Sequence, residues 1–279
     1  MLIGCIALVS ALIAAAVCGL VGAFESLAWL WILPLVTLAG VLVLVGIGFA
    51  FLLYLCHRVD QNVPQEKDDP LYRFVANLVI QSALPVLRIR VKKSGMEKVP
   101  QSGRFLLVCN HCNDSDPIIL LKCFKKHQLA FISKRENQSM FVIGPMMHKL
   151  QCQLINREND REALKTILNC IKILKEDKAS IAVFPEGYTS MDGLLHPFRS
   201  GVFKIAQKAN VPIVVCTLRD TQYALKNAMK LKRSVVELRL LDVIPAEDLK
   251  GRTAVDIGDQ VHKMMADDLG PDLVLKTEE

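Results

Sequence analysis

The first 57 residues contain neither lysine nor arginine, and Glu25 is their only acid. All 34 basic residues of the 279-residue chain come later. A stretch of that length with a single charge is not the surface of an ordinary soluble domain, where charged side chains normally face water. A disulfide scaffold is excluded too: the nine cysteines are odd in number and thinly spread. Cys109-Asn110-His111-Cys112 has no second Cys-x-x-C or paired histidine to complete a zinc site, so no metal is expected. Basic runs interleaved with aromatics are missing, which argues against a nucleic-acid partner. Repeats and low-complexity tracts are missing as well.

The chain holds two materials joined near residue 57. Its 52% hydrophobic content and mean hydropathy of +0.31 average over both. Residues 1–24 and 27–56 are free of charge, and each is long enough for a helix to span a ~30 Å hydrocarbon core. Only Glu25 and Ser26 clearly separate them, predicting a helical hairpin with a minimal loop over residues 1–57. Trp29, Trp31 and Tyr54 lie near the ends of the second stretch, where aromatic rings favour the interface. A cleaved signal peptide would need a basic leading region, and Ala15-Ala16-Val17 before Cys18 makes a poor lipoprotein-type site. Arg58, Lys67, Arg73, Arg88 and Arg90 follow the hairpin, so the positive-inside rule predicts an integral membrane protein with its large C-terminal part cytoplasmic. Thiols in that reducing compartment are expected to stay free.

Residues 58–92 read as a polar, Pro-containing linker followed by an amphipathic helix over Leu71 to Leu87. Its apolar positions are Leu71, Phe74, Val75 and Leu78. Such a helix can lie on a bilayer surface or pack into a core. Residues 93–279 form the remaining domain. Strands are expected at 87–91, 105–109, 129–133, 153–156, 180–184, 211–217 and 235–243, with helices at 117–124, 161–175, 201–208 and 253–267 between them. That alternation predicts an α/β fold with a mixed, largely parallel sheet flanked by helices.

Two polar turns follow buried strands, where open α/β sheets place ligands. The first is Asn110-His111-Cys112-Asn113-Asp114-Ser115-Asp116-Pro117. Asp116 before Pro117 reads as a helix N-cap, and a four-residue loop can return its carboxylate to His111. A histidine so held is a better-oriented general base. The second turn is Phe184-Pro185-Glu186-Gly187-Tyr188-Thr189-Ser190, which brings a carboxylate and an approachable backbone N–H to the sheet edge.

Asn110-His111-x4-Asp116, then Phe184-Pro185-Glu186-Gly187, then Val211-Pro212-Ile213-Val214-Val215 resembles the glycerolipid acyltransferase family, in particular its lysophosphatidate acyltransferase branch. Lys134 through Gly144 to Ile155-Asn156-Arg157 resembles that family's second block, and Phe198-Arg199-Ser200-Gly201 the basic turn after the third. The resemblance implies acyl transfer from a thioester (acyl-CoA or acyl-carrier protein) to the free hydroxyl of 1-acyl-glycerol-3-phosphate, giving phosphatidic acid. It implies His111 as general base and Asp116 as its orienter, with no cofactor beyond the acyl donor. Glu186, Gly187, Arg157, Lys134 and Arg199 are the implied substrate-binding residues. Backbone N–H groups near Gly187 are candidates to hold the oxyanion. Partners are then the lysophospholipid, the acyl donor and the bilayer. One departure stands out. The family usually has Thr-Arg-Ser after Glu-Gly, and here Tyr188-Thr189-Ser190 supplies no charge. Another lysolipid acceptor is the alternative this leaves open; a non-catalytic lipid-binding protein is a further one.

Overall fold

The computed structural model of the protein describes residues 2–156 and 158–275. Contacts divide the chain into two units, one ending at Asp60 and the other beginning at Gln61.

In the first unit, helices α1 (Leu2–Leu20) and α2 (Trp29–His57) pack together. Both are long and apolar enough to cross a membrane; at 1.5 Å per residue they measure about 28 and 43 Å. α1 buries Ser10, Ala14 and Cys18, a stripe of small side chains four residues apart. Gly40 of α2 faces that stripe, where a Cβ would lie 3.1 Å from Ser10. Small residues let the backbones approach, the usual device for helices that meet in lipid. Gly22, at φ +65°, and a single 3-10 turn at Ala23–Glu25 reverse the chain between them.

The second unit begins with α3 (Pro70–Val86). Asp69 caps it, accepting the N–H groups of Leu71 and Tyr72. The helix covers the length expected, but its inward face differs. Tyr72, Val75, Ala76, Ile80 and Leu84 are buried, whereas Leu71 and Phe74 are exposed. Ile80 and Leu84, outside the anticipated set, anchor it in the core and so fix which way it faces.

Seven strands follow: β1 (Ile89–Ser94), β2 (Leu106–Cys109), β3 (Leu129–Lys134), β4 (Gln153–Ile155), β5 (Ser180–Val183), β6 (Ile213–Arg219) and β7 (Ser234–Ile244). They form one sheet in the order β1-β7-β6-β2-β5-β3-β4. β6, β2, β5, β3 and β4 run parallel; β7 is antiparallel to β6, and β1 is parallel to β7. The mixed, largely parallel α/β sheet is as the sequence predicts. Helices α4 (Asp116–Cys123), α5 (Ile143–Lys149), α6 (Asp160–Lys175), α7 (Lys204–Ala209), α8 (Ala224–Met229) and α9 (Ala254–Leu269) join the strands. The short α5 and α8 were not anticipated, and the helix expected from Gly201 opens as a 3-10 turn over Ser200–Phe203.

β2 and β5 are buried at every position, as central strands covered on both faces must be. Alternate residues of β2 serve opposite cores. Leu106 and Val108 join Ile181, Phe203 and Met265, while Leu107 and Cys109 join Ile119, Phe124 and Leu238. The centre of the sheet is therefore held from both sides, and its exit turns have a firm base.

Candidate active site

β2 and β5 are neighbours in parallel register, with Val108 beside Val183. Their exit turns consequently leave the same edge of the sheet. The two turns are bonded to each other through His111. Its N–H donates to Oε1 of Glu186 at 2.7 Å, and its carbonyl accepts the N–H of Ser190 at 2.8 Å. Asn110 ties the first turn to β6 on the other side. Its side-chain amide donates to the Leu218 carbonyl at 2.9 Å, and its side-chain oxygen accepts the Leu218 N–H at 2.7 Å. Strands on both flanks thus fix the position of His111.

His111 Nδ1 lies 3.0 Å from Oδ2 of Asp116, and the Asp116 side chain is fully buried. The same oxygen accepts the N–H groups of Cys112 and Asn113, each at 2.8 Å. The N-cap expected of Asp116 is therefore corrected. Asp116 is already the first residue of α4, and Ser115 precedes it in a helical backbone conformation. The carboxylate turns back to the loop it closes because that loop offers two N–H donors and the imidazole. Asp69, extended and just before Pro70, makes the cap that Asp116 does not.

An ionised carboxylate only accepts, so Nδ1 carries the imidazole proton and Nε2 presents a lone pair. Phe184 stacks on the ring at a centroid distance of 4.0 Å and covers one face. The hydroxyl of Thr189 lies 3.0 Å from Nε2.

Glu186 is buried and spends both oxygens on the loops. Oε1 accepts from His111 and Oε2 accepts the His196 N–H at 3.0 Å. Burial pushes its carboxyl up to about 8, against the pull of those two N–H groups. Gly187 adopts φ +82°, and its own N–H donates to the Phe184 carbonyl at 3.0 Å. That N–H closes the turn, which removes it from the oxyanion candidates. Arg199 packs on the turn, its N–H donating to the Pro185 carbonyl. A Cβ on Gly187 would lie 2.8 Å from Arg199 Cδ, so glycine lets an exposed guanidinium lie close to the turn. Lys134 is exposed and ends β3 at the same edge, two strands from β2, about 10 Å at the usual strand spacing. Arg157 lies outside the described residues.

Two residues absent from the sequence expectations, Asp192 and His196, join the second turn. His196 Nε2 meets Asp192 Oδ2 at 2.8 Å, and its Nδ1 meets the Tyr188 hydroxyl at 2.7 Å. The Asp-x3-His spacing of 192 and 196 was the available signal. Cys112 lies beside the dyad, and burial and the Asp116 carboxylate push its thiol up to about 12. Among the described residues, no group of three His, Cys, Asp or Glu side chains is placed to hold a metal. A cavity of about 560 Å³ lined by Arg88, Arg90, Lys122 and Arg233 opens by β1. It lies three strands from β2 and includes none of these site residues.

The two turns thus gather a His–Asp pair, a clamped carboxyl and a neighbouring cation at one edge of the sheet. The chain carries an acyltransferase-family domain: residues 90–219 match the family model named Acyltransferase. A probable 1-acyl-sn-glycerol-3-phosphate acyltransferase of Mycoplasma pneumoniae is 29% identical over 216 residues, 76% of this chain and 78% of the relative. The chloroplastic 1-acyl-sn-glycerol-3-phosphate acyltransferase BAT2 of Brassica napus is 35% identical over 128 residues, 46% of this chain but only 36% of its own length. The fold is shared with the crystal structure of the 1-acyl-sn-glycerophosphate (LPA) acyltransferase PlsC from Thermotoga maritima. The TM-score is 0.62 at 18% identity, covering 82% of this chain and 90% of that one.

Proposed function

We propose that the protein transfers an acyl group from an acyl thioester to the free hydroxyl of 1-acyl-glycerol-3-phosphate, giving phosphatidic acid. The observation that carries this reading is the 3.0 Å contact between His111 Nδ1 and buried Asp116, which leaves Nε2 as the basic atom. Nε2 takes the hydroxyl proton as the acceptor oxygen attacks the thioester carbonyl. Asp116 holds the tautomer and stabilises the imidazolium that forms. When the carbon–sulfur bond breaks, the imidazolium returns its proton to the leaving thiolate. The names of the relatives support lysophosphatidate as acceptor, and Arg199 is the cation suited to its phosphate. The donor is acyl-CoA or acyl-carrier protein, and no cofactor takes part.

The apolar helices fit a lipid substrate that never leaves the bilayer, with the larger unit on the cytoplasmic face to meet a soluble donor. Neutral Thr189 favours a second reading, an acyltransferase acting on another lysolipid.

Purified full-length protein, supplied with radiolabelled acyl-CoA or acyl-carrier protein and a panel of lysolipids, tests both. Transfer to lysophosphatidate that disappears in a folded His111→Ala variant is expected. Parent-level transfer in that variant overturns the mechanism, and preference for a different lysolipid overturns the acceptor.

A further inference from the structure

Thr189 stands where the resembled family usually has arginine, and its hydroxyl occupies a specific place. Oγ1 lies 3.0 Å from His111 Nε2 and 3.4 Å from Asp114 Oδ1. A hydroxyl has one proton to give. With Nδ1 protonated toward Asp116, Nε2 has a single in-plane lone pair, and Thr189 is the donor that fills it. Asp114, exposed on the opposing turn, offers the same proton a second resting place. Rotation about the Thr189 Cβ–Oγ1 bond, which turns only the hydroxyl proton, is all that separates the two.

Resting on the acyl-transfer reading, we propose that Thr189 is a positioning residue that guards the base. In the free enzyme its hydroxyl holds the site on Nε2 that the acceptor hydroxyl must take. When acceptor binds, the Thr189 proton turns to Asp114 and Nε2 becomes available. The consequence is selectivity between acceptor and water. An unguarded Nε2 next to a bound thioester would activate a water molecule: the water gives one proton to Nε2, its oxygen bonds to the acyl carbon, and the carbon–sulfur bond breaks as the imidazolium returns that proton to the thiolate, leaving a free fatty acid and a thiol. A tethered hydroxyl denies water that lone pair more effectively than bulk solvent competes for it. A lysolipid anchored by its chain and head group displaces the tethered hydroxyl; a lone water does not.

Two properties suit Thr189 to this part. It sits in a turn fixed from both sides, by the Glu186 carboxyl group and by the Ser190 N–H on the His111 carbonyl, so its distance to Nε2 is set by backbone. It is also partly open to solvent, so an acceptor can reach it. An arginine at this position would bind phosphate but could not donate and withdraw a single proton in the same way.

The experiment measures thioester cleavage by full-length protein in detergent, with and without lysophosphatidate, for the parent, Thr189→Ala, Thr189→Ser and His111→Ala. Free thiol and acylated lipid are quantified separately. Thr189→Ala is expected to raise acceptor-free hydrolysis and lower the acceptor KM, each about three- to tenfold, the range set by one hydrogen bond. Thr189→Ser restores parent values, a rescue that a merely structural role for the methyl group would not show. His111→Ala abolishes both cleavage and transfer. Unchanged hydrolysis and acceptor KM in Thr189→Ala overturn the guard. So does an equal fall in both reactions, which would make the hydroxyl a direct contributor to transfer. An acyl adduct on Thr189 by intact-mass spectrometry overturns it as well, by showing a nucleophile. Failure of the acyl-transfer reading is separate: His111→Ala then retains transfer, whatever Thr189 does.

Discussion

Oε1 of Glu186 accepts the backbone N–H of His111 at 2.7 Å, across 75 residues of sequence. The carboxyl of one turn thus sets the backbone of the other, and Oε2 extends the clamp to His196. Neither oxygen points to chemistry of its own. What Glu186 does is fix where the His111 backbone lies.

Glu186→Gln should therefore cost both activity and stability. An amide nitrogen meets one of the two N–H donors, so one clamp is lost, and kcat should fall at least tenfold, as small misplacements of a catalytic group do. The variant also isolates a pH effect. Because burial raises the Glu186 carboxyl to about 8, the native state retains a proton that the unfolded state loses above about 4.5. Stability from this group then falls as pH rises between those values and levels off above them. Urea unfolding at pH 5, 6.5 and 8 should show the parent losing stability relative to Glu186→Gln along that series.

Asp116→Asn removes the charge that holds the Nδ1 proton. Its amide can still accept the Cys112 and Asn113 N–H groups, so the loop should fold. Transfer should drop by about 10²–10⁴, the scale seen when a general base loses its correct tautomer. Single-turnover kinetics beside an unchanged circular dichroism spectrum check this.

Gly187→Ala meets two penalties. The left-handed backbone costs about 1–2 kcal/mol for a residue with a Cβ, and the new methyl runs into the Arg199 side chain. The guanidinium should be pushed off the turn, raising the lysolipid KM severalfold with little change in the thioester KM. Arg199→Ala should reproduce that KM pattern without the loss of melting temperature.

Cys112→Ala should keep most of the transfer activity. A thiol raised to about 12 is protonated at neutral pH, and alkylating reagents should modify it slowly. Mass mapping after iodoacetamide treatment gives the direct measurement.

Much of this was legible in the sequence because it rests on local pattern. Continuous apolar runs such as Leu106–Cys109, short and bounded by polar turns, fit central strands, and the turns after them share an edge because β2 and β5 are parallel. The short helices α5 and α8 were not legible, since six or seven residues carry too little periodicity. Asp-Pro marks a helix start at both 69 and 116, yet the two aspartates do different things. What separates them is the presence of His111 and two free N–H groups upstream of Asp116, a fact of loop closure that propensity does not encode. From the sequence, Thr189 is only a missing charge. Its bond to Nε2 depends on how the Glu186 clamp sets the second turn, which no spacing announces.

The sheet order has a temporal meaning. β2 is made early, but its neighbours β5 and β6 emerge from the ribosome more than 70 residues later. Until they insert, His111 lacks its Glu186 clamp and Asn110 lacks Leu218. A nascent chain therefore carries His111 and Asp116 without the contacts that hold their turn in place. The site is complete only after the centre of the sheet is closed, so a stalled or truncated chain holds its two apolar helices and no assembled site.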